Sequence, residues 1–73
     1  MNGAKEAGEK MARLRRERGL TQAALAQKLR VSQRMVAAVE AGERRPSVDL
    51  AQRIGHELGM AWTDFFEDGE AEA

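Results

Sequence analysis

The sequence predicts an all-α domain, and three observations carry that expectation. Ala, Glu, Arg, Leu and Gln dominate the chain, and all are good helix formers. There is one proline, Pro46, there are three aromatic residues, and β-branched residues are sparse, which argues against a sheet. Apolar residues recur three and four apart, in short runs bounded by Gly, Ser and Thr. The chain has 73 residues, so a single domain with a small core is expected.

The first pattern is Met11, Leu14 and Arg18, closed by Gly19, and it predicts helix 1. Residues 1–7 are expected to be loosely ordered, with the domain covering 8–67. Thr21 is placed to cap helix 2, from about Gln22 to Leu29, with Leu25, Ala26 and Leu29 inward. Arg30 and Val31 fill the break. Ser32 is the next cap, and helix 3 follows to about Ala41, with Val36 and Val39 inward and Gly42 as its stop. Pro46 and Ser47 announce helix 4, about Val48 to Leu58, whose inner side is Val48, Ala51, Ile54, Gly55 and Leu58. Gly59 ends it. A last short helix, about Trp62 to Glu67, offers Trp62, Phe65 and Phe66, and residues 68–73 form an acidic tail.

About three residues separate helices 2 and 3. A connection that short forces a steep crossing, and the small Ala26 lets the two helices approach closely, which is helix-turn-helix geometry.

Net charge is zero, but its distribution is uneven. Residues 1–53 hold all 12 Lys and Arg and six of the 12 acids, a balance of +6; residues 54–73 hold the other six acids, a balance of −6. That asymmetry fits a basic binding face with a separate acidic end, and it equally fits an ordinary surface with a solubilising tail. Cysteine is absent, which removes disulfides and thiolate metal sites. His56 is the only histidine and has no partner type with which to hold a metal, so it is expected at the surface. Neither a signal peptide nor a run of ~20 apolar residues is present, so a cytoplasmic location, no membrane and no cofactor are expected. No acid, base and nucleophile cluster together in the pattern; Thr21 and Ser32 are caps, and an enzyme is not expected.

The stretch from LRRERGLTQAALAQKL through RMVAAVEAGERRPS to the final DFF resembles the phage-repressor (lambda/434 repressor and Cro, or XRE) helix-turn-helix family, over about Gly8 to Phe66. The resemblance implies a compact five-helix lambda-repressor-like domain, with helices 2 and 3 as the helix-turn-helix. It also implies a homodimer on double-stranded DNA, with helix 3 in the major groove. Gln33 and Arg34 match the first base-reading positions, and Ala37 and Ala38 those one turn on. Gln22, Arg44 and Arg45 match phosphate-binding positions. Arg30 stands where the family usually has Gly; if the backbone there is left-handed, a phosphate contact is one expected compensation, and a solvated arginine fits equally well. Arg15 and Glu40 match a structural ion pair between helices 1 and 3. The C-terminal end commonly makes the dimer contact in this family, which points to Leu50, Trp62 and Phe66.

Side-chain chemistry agrees with these roles: Gln pairs bidentately with adenine and Arg with guanine, whereas Ala reaches only a thymine methyl. The expected function is a dimeric transcriptional regulator on a palindromic operator, with no effector domain, controlled by its own concentration. The alternative is a protein-interaction module, such as an antitoxin binding a partner protein, or a restriction–modification controller. A toxin or RNA polymerase is a conceivable partner protein.

Overall fold

In the computed structural model, which describes residues 3–66, four α-helices pack around one core: α1 (Gly3–Glu17), α2 (Gln22–Leu29), α3 (Gln33–Glu40) and α4 (Val48–Leu58). A short 3-10 helix, Trp62–Phe66, follows. The described residues form no strand, and no helix among them is long and apolar enough to cross a membrane. The fifth element is therefore a 3-10 turn and not a fifth α-helix. Its amide of Asp64 donates to the carbonyl of Ala61, three residues back. Ala61 offers no capping side chain, and so short a segment has few four-residue bonds to gain.

Caps define the helices as the sequence implies. The hydroxyls of Thr21, Ser32 and Ser47 accept from the amides of Ala24, Met35 and Leu50, at 3.0, 3.0 and 3.1 Å. The helices end in left-handed residues: Gly19, Gly42 and Gly59 have φ near +70°, and α2 ends on Arg30 at φ 61°. At that corner the Val31 amide donates to the Ala26 carbonyl and the Arg30 amide to that of Gln27, the pattern of a Schellman cap. The backbone there is left-handed, so Arg30 occupies a conformation that costs an L-residue with a side chain about 1–2 kcal/mol.

The core contains the expected inward faces of α2 and α3 together with Met11, Ala51, Ile54, Leu58 and Phe65, all fully buried. Two expectations on α4 change. Val48 is 51% exposed, because it opens the helix at its solvent end. Leu50 is only 5% exposed and belongs to the core, so it offers no surface to a second chain. Gly55 is required by close approach: a Cβ there would lie 2.6 Å from the Met60 carbonyl oxygen, where the chain folds back after α4.

The N-terminal boundary also changes. Helix α1 begins at Gly3, so residues 3–7, expected to be loose, are helical, and Ala7 is buried. The reason is tertiary. A Cβ on Gly8 would sit 2.4 Å from the Val39 carbonyl oxygen, so α1 crosses the end of α3 backbone against backbone. Residues 1–2 and 67–73, which include Glu67 at the expected end of the last helix and the acidic tail, lie outside the described residues.

A buried ion pair joins the first three helices. Arg15 Nε donates to Glu40 Oε2 at 2.7 Å and Arg15 Nη2 to Glu40 Oε1 at 3.3 Å. Arg15 Nη1 donates to the Leu20 carbonyl at 2.7 Å, and Gln22 Nε2 to Glu40 Oε1 at 3.0 Å. At the far end Lys10 pairs with Asp64 at 2.9 Å and ties α1 to the 3-10 helix. The Arg53 guanidinium donates to the Leu29 carbonyl, closing the end of α2 against α4.

Replacing Glu40 with alanine leaves the Arg15 charge buried and unpaired. The expected loss is about 3–5 kcal/mol. That is comparable with all that a core of this size supplies, roughly 3–5 kcal/mol. Glu40→Ala should therefore be largely unfolded by circular dichroism at 25 °C; an unchanged urea midpoint would refute the structural role. Arg30→Gly should act oppositely. Relief of the left-handed strain exceeds the added freedom of the unfolded chain, for a net gain of about 0.5–1 kcal/mol, and the midpoint should rise in the same titration.

Candidate nucleic-acid interface

Helix α3 has two sides with different tasks. Val36, Val39 and Glu40 are buried on one side. At 100° per residue, Arg34, Ala37, Ala38 and Ala41 fall on the other side, and Gln33, one turn before Ala37, lies at the edge between the two. Gln33 and Arg34 are exposed in the first turn, Ala37 and Ala38 are half-buried, and Ala41 is exposed. The structure thus brings Arg34, Ala37 and Ala38 of the expected base-reading residues onto one face, with Gln33 at its edge. Ala41 extends that face and was missed, although it continues the four-residue spacing Gln33–Ala37–Ala41.

The first turn is held firmly. Ser32 sits in extended backbone (φ −75°, ψ 156°) and its hydroxyl accepts from the Met35 amide, so Gln33 and Arg34 leave a capped helix start. Small residues follow them. A face of alanines lets the helix backbone come within reach of a groove floor, where longer side chains would hold it off.

The loop after α3 is folded back on the same helix. The Glu43 and Arg44 amides both donate to the Ala38 carbonyl, at 3.0 and 3.3 Å. Buried Pro46 anchors the other end. Arg44 and Arg45 are both exposed. The Arg45 guanidinium lies over the Phe66 ring, 5.6 Å from its centroid, so this cation is positioned by the C-terminal aromatics. Neither the Arg45 contact nor the Lys10–Asp64 pair has a local signal in the sequence, since each joins residues distant along the chain.

The remaining expected phosphate residues are placed differently. Gln22 opens α2, but its amide is committed to Glu40, so it orients the ion pair that holds α3. Arg30 is exposed at the corner between α2 and α3. Trp62 and Phe66 meet edge to face, with centroids 6.0 Å apart, and both are half-buried. Leu50, as noted, is separated from them by burial. His56 is exposed and lines an open groove of about 350 Å³ with Lys28, Leu29, Gln52 and Arg53.

Comparison with known proteins agrees with this geometry. The sequence profile of the helix-turn-helix family matches residues 11–65, from the buried Met11 of α1 to the buried Phe65. A Bacillus subtilis (strain 168) protein named uncharacterized HTH-type transcriptional regulator YqaF is 41% identical over 54 residues, which cover 74% of this chain and 71% of that protein. No solved structure matches the chain at a significant level. With the capped α2–α3 corner, the outward face of α3 and a family match over most of its length, the chain belongs to the XRE-type helix-turn-helix family of DNA-binding transcriptional regulators.

Proposed function

We propose that this chain is a sequence-specific regulator that binds a palindromic operator as a homodimer and acts as a repressor or autoregulator. One observation carries the reading. Gln33 and Arg34 project into solvent from the capped start of α3, while Val36, Val39 and Glu40 hold its other side to the core. In the proposed complex Gln33 and Arg34 make the direct base contacts, each good pair contributing roughly 1–3 kcal/mol of discrimination. Ala37, Ala38 and Ala41 face the groove floor, and sequence-dependent DNA shape supplies further selectivity.

Arg44 is the proposed phosphate contact nearest the recognition helix, since its amide is bonded to the Ala38 carbonyl. Arg45 and Arg30 add charge around it. Gln22 contributes by orienting Glu40, with a phosphate contact through the rest of its amide. Trp62 and Phe66 form the proposed dimer contact, without Leu50. A two-fold dimer then sets two half-sites about one helical turn apart, roughly 34 Å.

Two measurements test this. A dimer making ~6–8 phosphate contacts should lose affinity with a slope of log K against log salt near −5 to −7. A duplex affinity indifferent to salt would end the proposal. In a selection of bound sequences, Arg34→Ala should relax preference at one position per half-site, whereas Arg44→Ala should weaken cognate and random duplex alike. Identical behaviour of the two variants would show that the roles are misassigned.

A further inference from the structure

Two unfavourable features meet at the corner that leads into α3. One is the left-handed Arg30. The other comes from α4. The Arg53 guanidinium donates through Nη1 to the Leu29 carbonyl and pairs through Nη2 with Asp49 at 3.2 Å, one turn earlier on the same helix. Its Nε–H is shielded from solvent, and no acceptor among the described residues meets it. A buried donor without an acceptor opposes folding, whereas a carbonyl at a helix end is ordinarily satisfied by water. Stability alone does not call for this arrangement. Local costs of this kind persist where the surrounding structure imposes them, and they gather at functional sites.

The grip on Leu29 has a short path to the base-reading positions. Leu29 is the last residue of α2 and is fully buried. Only Arg30, Val31 and Ser32 separate it from Gln33, so the two residues stay within about 15 Å of one another. Little slack lies between them. The Arg30 amide donates to the Gln27 carbonyl, the Val31 amide to that of Ala26, and the Ser32 hydroxyl caps α3. A displacement of the Leu29 peptide is therefore carried into the first turn of α3. Helix α3 rests chiefly on α2 and α1, whereas α4 packs on α2, α1 and the 3-10 helix. Arg53 is thus a polar link by which α4 fixes the corner before α3.

We infer that Arg53 is a positioning residue for base reading. It acts through the Leu29 carbonyl, which sets how α3 enters the groove, and it touches no base itself. Hydrogen bonds to base edges weaken steeply with misalignment, whereas attraction to phosphate charge does not depend on sequence. Loss of the guanidinium therefore lowers discrimination between sequences more than general affinity. This inference rests on the proposed base-reading role of Gln33 and Arg34.

The test compares a duplex selected by the unaltered chain with a random duplex of equal length, at a temperature where circular dichroism shows each variant folded. Arg53→Met keeps the apolar stem and removes the fork. Its affinity for the selected duplex should fall about 5–20-fold further than for the random one, the scale of one good base contact. Equal losses on both would mean lost charge or lost stability, and would overturn the inference. In the Arg34→Ala background the excess loss should shrink at least about twofold, because one of the misplaced contacts is already gone. Full additivity overturns the positioning role. Should Arg53→Met not fold, Asp49→Asn removes only the exposed strut beside the guanidinium, and the ratio of the two affinities should fall about two- to threefold. An unchanged ratio there overturns the inference. One readout needs no DNA: the backbone amide resonances of Gln33 and Arg34 should move in the same variant. Unmoved resonances overturn the inference, even where the chain binds duplex. Moved resonances in a chain without duplex affinity leave the link from Arg53 to α3 standing and defeat only the base-reading proposal.

Discussion

The ion pair between Arg15 and Glu40 is the constraint on which the arrangement of the first three helices depends. Two opposite charges are taken almost completely out of water, which is costly unless every lone pair and proton finds a partner. Here the carboxylate accepts from both Arg15 and Gln22, and the guanidinium also donates to the Leu20 carbonyl. One hydrogen-bonded unit thereby specifies where α1 ends, where α2 begins and how α3 lies across them. A hydrophobic contact in its place could slide; two parallel N–H···O bonds have one register.

Rigidity at that buried junction is what allows α3 to be so sparsely equipped outside. Of its eight residues, two valines, a glutamate and the partly buried Met35 hold the helix down, leaving Gln33, Arg34 and two alanines toward solvent, with Ala41 following at the C-cap. Little of the outward face is needed for anchoring, so its side chains are free to be short. The corner before it carries strain: Arg30 adopts the left-handed conformation that glycine adopts at the other three helix ends. A cation held there at a cost to stability fits the proposed contact with phosphate.

The C-terminal turn divides its few aromatic residues between the core and the surface. Phe65 fills the core, while Trp62 and Phe66 remain half-buried, and Phe66 supports Arg45. Basic loop and proposed dimer contact therefore converge on one short element. The proposed dimer contact and the proposed phosphate contact at Arg45 thus share Phe66.

The helical periodicity, the caps at Thr21, Ser32 and Ser47, the glycine stops and the family resemblance were all legible in the sequence, because each depends on residues within one turn or one short loop. The same locality made the exposure of Gln33 and Arg34 predictable: Val36 and Val39, three residues apart, fix the inner side of so short a helix, and its capped first turn lies clear of them. Tertiary structure decided the rest. Gly8 joins α1 to the end of α3 through a contact with residues some thirty positions away, so a segment that looked loose is helical. Leu50 and Val48 exchange expected roles, because periodicity gives a face but not which residue of the first turn meets the core. Gln22 turns to Glu40, and Arg45 to Phe66, for the same reason: a polar side chain's partner is set by distances across the fold, which no spacing along the chain encodes.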